Sequence, residues 1–164
     1  MSEELRAAAT AVLDVCRARG LKIATAESCT GGLVAGALTD IAGSSAVLDR
    51  GFVTYSNNAK HEVLGVLVAT IENHGAVSRE TAEAMARGAL ERAGVDLAIA
   101  ITGIAGPGGG SKDKPIGLVH FAAAARNGTL VQQEKRYGDI GRSAVRHKSV
   151  LQALLMLHDL AQSR

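Results

Sequence analysis

Apolar residues recur at helical spacing at Leu5, Ala8, Ala9, Val12, Leu13 and Cys16, which predicts a helix over 3–19 with Gly20 as its C-cap. The pattern then shortens. LKIAT (21–25) reads as a strand, LVAGALTDIAG (33–43) as a small-residue helix ended near Gly43, and AVLDRGFVTYS (46–56) as a longer strand. NNAKHEVLGV (57–66) reads as a short helix, and VATIENHG (68–75) as a helix or turn. SRETAEAMARGALERAG (78–94) is the clearest helix, capped by Ser78, with Gly94 past its end and a stripe of Ala82, Met85, Ala86, Ala89 and Leu90. DLAIAITG (96–103) is apolar throughout, as in a strand covered on both faces. IGLVHFAAAA (116–125) and TLVQQEKRYG (129–138) bracket Arg126-Asn127-Gly128, a hairpin signal. A helix over 142–161, with Val145, Val150, Leu151, Leu154, Leu155 and Leu157 on its buried side, closes the chain.

Helices alternate with strands first, and a hairpin comes late. That order predicts an α/β layered fold with a mixed sheet. At 164 residues, with no repeat or linker, a single domain over 1–164 is expected. Aromatics are only 2% and Trp is absent, so the core must be built from Ala, Val, Leu and Ile. A net charge of +2 and the scarcity of stacking aromatics argue against nucleic acid as a partner. Cys16 and Cys29 form no CxxC, the opening MSEELRAAAT has no apolar signal core, and no apolar run approaches the roughly 20 residues of a bilayer span. The expectation is a cytoplasmic protein without a membrane partner.

Four stretches carry candidate chemistry. In TAESCTGG (25–32) the chain leaves a strand and enters a helix, where ligands of α/β sheets collect and where free N–H groups favour anions. Ser28 or Thr30 could simply cap the helix. Alternatively Ser28 is a nucleophile beside main-chain oxyanion donors, with Cys29 as the other candidate. A Ser-His-Asp triad is possible in principle, but GxSxG is absent and the five histidines form no signature; the other route to a serine base is a lysine of lowered pKa. GFVTYSNNAK (51–60) offers Lys60 early in a helix, with Tyr55 nearby to relay a proton to Lys60 or Ser28; Lys60 also fits a solvated surface lysine and Tyr55 a half-buried strand residue. ITGIAGPGGGSKDKPIG (101–117) follows the buried strand and fits neither a Walker A loop nor GxGxxG, yet its amides and Thr102 could hold a phosphate. RYGDIGRSAVRHK (136–148) groups Arg136, Arg142, Arg146 and Lys148, with Arg142 and Arg146 on one helix face. His61-Glu62 lacks the second histidine of HExxH, and no metal site is expected.

Taken together, TAESCTGG, GFVTYSNNAK, GAVSRETAEAMARGA, AIAITGIAGPGGGSKDKPIGLVHFA and the closing GD…R…VR closely resemble the CinA C-terminal-domain family, in order from about residue 5 to 160. That family includes nicotinamide-mononucleotide deamidases of pyridine-nucleotide salvage. The resemblance implies a three-layer α/β/α sandwich and an amidohydrolase without metal or cofactor. It implies Ser28 as nucleophile, Lys60 as general base and Tyr55 as supporting relay. Glu27, Thr102 and Arg142 would shape the nucleotide site. The N–H groups around Cys29, Thr30 and Gly31 would hold the oxyanion, and the glycine-rich loop with Gly103 and Gly106 the phosphate. Here Ile140 and Gly141 separate Asp139 from Arg142, where the family often writes GDR. Many relatives carry the domain behind a larger one, so deamidase activity alone is expected, from a homodimer. The competing expectations are a non-catalytic nucleotide-binding module and an interaction protein tied to DNA uptake or damage.

Overall fold

The computed structural model describes residues 1–164. The apolar run at its centre is β3 (Leu97–Gly103), buried along nearly its whole length. It is paired on both sides and covered on both faces, which is why it shows no polar alternation. β1 (Ile23–Glu27) runs parallel to it, with Glu27 opposite Ile101. β2 (Leu48–Val53) lies parallel to β1 at one edge. β4 (Leu118–Ala125) and β5 (Leu130–Arg136) continue the other side antiparallel, giving the order β2-β1-β3-β4-β5. The sheet is mixed. The hairpin turns where expected, with Gly128 at φ 97° and the Thr129 N–H on Asn127 Oδ1.

Side chains alternate across the strands and divide the core in two. One face presents Ile23, Leu97, Ile99, Ile101, Val119 and Phe121 to α1 (Glu3–Ala18), α2 (Leu33–Thr39) and α6 (Arg142–Gln162). The other presents Ala26, Ala98, Ala100, Ala122 and Ala124 to α5 (Arg79–Ala93), which answers with Ala82, Met85, Ala86 and Ala89. This alanine layer lets α5 lie close to the sheet and needs no aromatic filling. α3 (Asn57–Leu64) and α4 (Val68–His74) flank α5. The result is an α/β/α sandwich.

Several boundaries differ from the sequence pattern. β1 starts two residues late because Leu21 and Lys22 belong to the turn, where Asp96 accepts the Lys22 N–H at 2.8 Å; it runs on through Glu27. Residues 46–56 yield a shorter strand. Ser44–Ala46 form a 3-10 turn, and the chain leaves β2 after Val53 so that Ser56 can cap α3 through the Ala59 N–H. Gly43, at φ 82°, opens that 3-10 turn, and α2 ends earlier, at Thr39. Residues 68–75 resolve into helix α4. In α6, Leu155 is 45% exposed and Leu151 only half-buried; Ala153, Met156, Leu160 and Ala161 carry the buried side instead.

Candidate active site

Ser28 is the first residue beyond β1, held there by its N–H on the Ile101 carbonyl at 3.0 Å. It therefore sits at the carboxyl ends of two parallel strands. Lys60 arrives from α3, one turn into the helix, and is 1% exposed although its neighbours Asn58, His61 and Glu62 are polar. Its Nζ lies 2.9 Å from Ser28 Oγ, 3.0 Å from the Thr54 carbonyl oxygen and 3.3 Å from that of Tyr55. No carboxylate pairs with it. Burial disfavours the charged amine and holds the Lys60 pKa below the ordinary lysine value, against a smaller opposing influence of Cys29. A neutral amine has two N–H bonds and one lone pair. With the two N–H groups on the Thr54 and Tyr55 carbonyls, the lone pair is left for the Ser28 hydroxyl.

These residues open into a cleft of about 260 Å³. Its walls include Ser28, Lys60, Asn57, Thr102 and the glycine-rich segment Gly103–Gly109, and Arg142 borders it. A larger open hollow of about 530 Å³ lies over β4 and β5, lined by Arg79, His120, Gln132 and Glu134. It holds no nucleophile–base pair, so the chemistry belongs to the smaller cleft.

Arg142, the first residue of α6, spans the cleft's mouth. Its Nη1 donates to the Gly106 carbonyl at 2.9 Å and its Nη2 to the Tyr55 hydroxyl at 3.1 Å. It has no acidic partner, so its charge is available to an anion. The Tyr55 phenol is thus on Arg142 and not on Lys60 or Ser28, which corrects the proton-relay expectation; only the Tyr55 main chain reaches the lysine. Thr102 lines the cleft, but its hydroxyl donates to the Ala76 carbonyl at 2.7 Å. Gly103 lies against Val119 of β4 with no room for a Cβ, and Gly106 adopts φ 84° ahead of a cis Pro107.

Glu27 has another task than touching a nucleotide. Its carboxylate is fully buried and accepts the N–H of Val34 at 2.8 Å and of Ala35 at 3.0 Å, and the Thr25 hydroxyl at 3.1 Å. It caps α2 from the preceding strand, the role that Gly32 at the N-cap cannot fill with a side chain. The helix start is therefore occupied by an anion already. The turn before it differs. The Gly31 N–H is spent on the Ser28 carbonyl, and Thr30 is fully buried outside the cleft lining. Of residues 29–31 it is Cys29 that borders the cleft. The Cys29 thiol, 6% exposed, is pushed up to about 12, chiefly by burial, so it is a neutral neighbour of Ser28.

No local pattern pointed to Asn57, Ala76 or Val77, which reach the cleft through folding alone. It grouped Arg146 with Arg142, but the two side chains part: Arg146 turns to the main chain of Cys29 and Thr30.

The chain belongs to the CinA C-terminal domain family, whose model matches residues 5–161. Among curated relatives, the nicotinamide-nucleotide amidohydrolase PncC of Enterobacter agglomerans is 52% identical over 139 residues, which is 84% of each chain. The protein of the same name from Escherichia coli K12 is 53% identical over 142 residues, 86% of this chain and 85% of that one. Among solved structures, the competence/damage-inducible protein CihA of Agrobacterium tumefaciens superposes with a TM-score of 0.96 at 56% identity, covering 98% of this chain and 97% of its own.

Proposed function

We propose that this chain is a nicotinamide-nucleotide amidohydrolase that converts nicotinamide mononucleotide to nicotinate mononucleotide and ammonia. The observation that carries the reading is the buried, unpaired Lys60 amine 2.9 Å from Ser28 Oγ at the floor of a cleft. The relatives named for this activity support the substrate.

Lys60 takes the proton of Ser28 as Oγ attacks the amide carbon. The oxyanion rests on the N–H of Cys29, next to Ser28, a donor of this kind being worth about 3–4 kcal/mol. Lys60 returns the proton to the departing nitrogen, which leaves as ammonia, and an ester to Ser28 remains. Water, deprotonated by the same amine, opens that ester and releases the carboxylate product. Arg142 and the amides of the glycine-rich loop receive the phosphate. The mechanism draws its base and its nucleophile from side chains, so it needs no metal. The chain acts as one domain, in the cytoplasm, as a homodimer, on a small nucleotide rather than on nucleic acid. No helix is long and apolar enough to cross a membrane.

Ammonia release from nicotinamide mononucleotide tests this, comparing wild type with Ser28→Ala and Lys60→Ala, each with and without chelator. Turnover lost in both variants and indifferent to chelator is expected. Binding without turnover in the wild type would reduce the chain to a nucleotide-binding module.

A further inference from the structure

We infer that Asn57 reads the carboxamide nitrogen of the substrate: its side-chain oxygen accepts an N–H of the group that leaves as ammonia, which sets an amide apart from an ester at this site. The inference rests on the Ser28 acyl-enzyme reading. Asn57 is the first residue of α3 and forms part of the cleft wall. The other polar side chains of that wall are already engaged. Ser28 Oγ and Lys60 Nζ are paired, the Thr102 hydroxyl donates to the Ala76 carbonyl, and the Tyr55 phenol accepts from Arg142 at the mouth. Just before Asn57, the Ser56 hydroxyl accepts the Ala59 N–H. The Asn57 side chain remains, an amide in the wall with no hydrogen-bond partner in the chain.

The course of Lys60 places that amide beside the reacting atoms. Helix side chains lean toward the N-terminus. Lys60 follows this rule: it leaves α3 three residues after Asn57 and brings Nζ back to the carbonyls of Thr54 and Tyr55, ahead of the helix. Residues three apart share a helix face, so the lysine passes Asn57 on its way to Ser28. In the reaction the two ends of the substrate amide have different partners. The oxygen goes to the Cys29 N–H, and the nitrogen stands within reach of Nζ, which returns the proton to it. A cleft side chain flanking Nζ therefore faces the nitrogen and not the oxygen. Asn57 Oδ1 is an acceptor, and the amide nitrogen carries two N–H bonds. Turning one of them to Asn57 leaves the nitrogen lone pair of the tetrahedral intermediate open to the protonated lysine. A carboxylate at this position would accept the same N–H, but it would also hold the amine protonated and unfit as a base. The neutral amide accepts without that effect.

The test compares nicotinamide mononucleotide with the methyl ester of nicotinate mononucleotide, whose leaving oxygen has no hydrogen to donate and departs as methanol. Asn57→Ala and Asn57→Asp are measured beside wild type and Ser28→Ala, with folding followed by circular dichroism and thermal unfolding. Asn57 is exposed at a helix start, where an acid is favoured, so Asn57→Asp is expected to fold. Asn57→Ala is expected to lower kcat/KM about 10-fold on the amide, the loss of one hydrogen bond, and to leave the ester within about 2-fold. Asn57→Asp keeps the acceptor, so amide turnover at high pH is expected to stay near wild type while the Lys60 limb of the pH–rate profile moves to higher pH. No carboxylate faces Lys60 in the wild type, and its titratable neighbour is the Cys29 thiol, pushed up to about 12. The move therefore reports a carboxylate set beside the amine, which a loosened helix start would not produce. Equal losses on amide and ester would make Asn57 a contact to the ring or ribose and overturn the inference, as would an unmoved pH limb in Asn57→Asp. Wild-type amide turnover in Asn57→Ala, with Ser28→Ala inactive, would overturn it while leaving the parent reading intact. Full turnover in Ser28→Ala would remove both.

Discussion

Gly88 lies on α5, yet replacing it is expected to disable the serine–lysine pair. A Cβ built there overlaps the Leu64 carbonyl oxygen and falls 2.9 Å from the Leu64 carbonyl carbon and 3.2 Å from its Cβ. Carbon atoms in contact prefer about 3.5–4.0 Å, so the two helices must part by roughly 1 Å. Leu64 ends α3, and Lys60 stands one turn before it on the same short helix. A rigid shift of α3 therefore moves Nζ off Ser28 Oγ by a similar distance, and a misplacement of about 1 Å can cost about 100-fold in rate. Helix propensity pulls the other way, favouring alanine by about 1 kcal/mol, against an overpacking cost of about 1–3 kcal/mol. Gly88→Ala is thus expected to lose about 0–2 kcal/mol in urea unfolding, the overpacking cost less the propensity gain, and about 10- to 100-fold in kcat for ammonia release. Gly36→Ala is the control: it also sits in a helix, and its Cβ meets nothing within 4 Å. A Gly88→Ala protein as stable as wild type with unchanged kcat would refute the reasoning, since α3 would then have yielded without carrying Lys60 along.

Other expectations follow from the site. Turnover should rise with pH through a single ionisation below the ordinary lysine value, because burial favours the neutral Lys60 amine; a rate that falls with rising pH over that range would contradict the base assignment. The same shift bears on stability with a definite sign. The unfolded chain binds the proton more tightly, so stability rises as pH climbs from the folded Lys60 pKa to the ordinary one, and Lys60→Met should flatten that rise in pH-dependent urea titrations. Glu27→Ala strips the acceptor from one buried and one part-buried N–H group and should cost about 2–6 kcal/mol in denaturant unfolding, at about 1–3 kcal/mol for each unsatisfied group; a stability loss below that with a large rise in KM would return Glu27 to the substrate. Cys29→Ala should keep most activity, and iodoacetamide at neutral pH should not inactivate the wild type, because the thiol stays protonated. Arg142→Ala should raise KM for nicotinamide mononucleotide far more than it lowers kcat.

The strands and the long helices were legible because their periods are clean: 97–103 is apolar without a break, and the stripe of 78–94 recurs at three and four. Leu155 misled, being 45% exposed. Once a helix face is set by Ala, Met and Ser, a leucine just off that face remains partly outside, and composition cannot say which rows win. Ser28 was visible as a candidate from its place between a strand and a helix. Lys60 was visible as a candidate base but its burial was not, because SNNAKHEV reads as a solvated segment; the amine is buried against the Thr54 and Tyr55 carbonyls just beyond β2, a contact made by folding. Glu27 announces an acid beside the nucleophile and turns out to cap a helix seven residues on, a pairing no local pattern encodes.

The basic side chains of this site are seated on peptide oxygens: Lys60 on those of Thr54 and Tyr55, Arg142 on that of Gly106, Arg146 on those of Cys29 and Thr30. A carboxylate seat disappears when its side chain mutates or takes up a proton. A peptide oxygen does neither. The frame around the serine is therefore written largely into the path of the chain: drift at Cys29, Thr30 and Thr54 leaves it standing, while Gly106 is tied to its positive φ and Tyr55 to its phenol on Arg142, and a displaced loop breaks it. Acidification meets only one ionisable member of the pair, the lysine itself, and added salt finds no ion pair to screen.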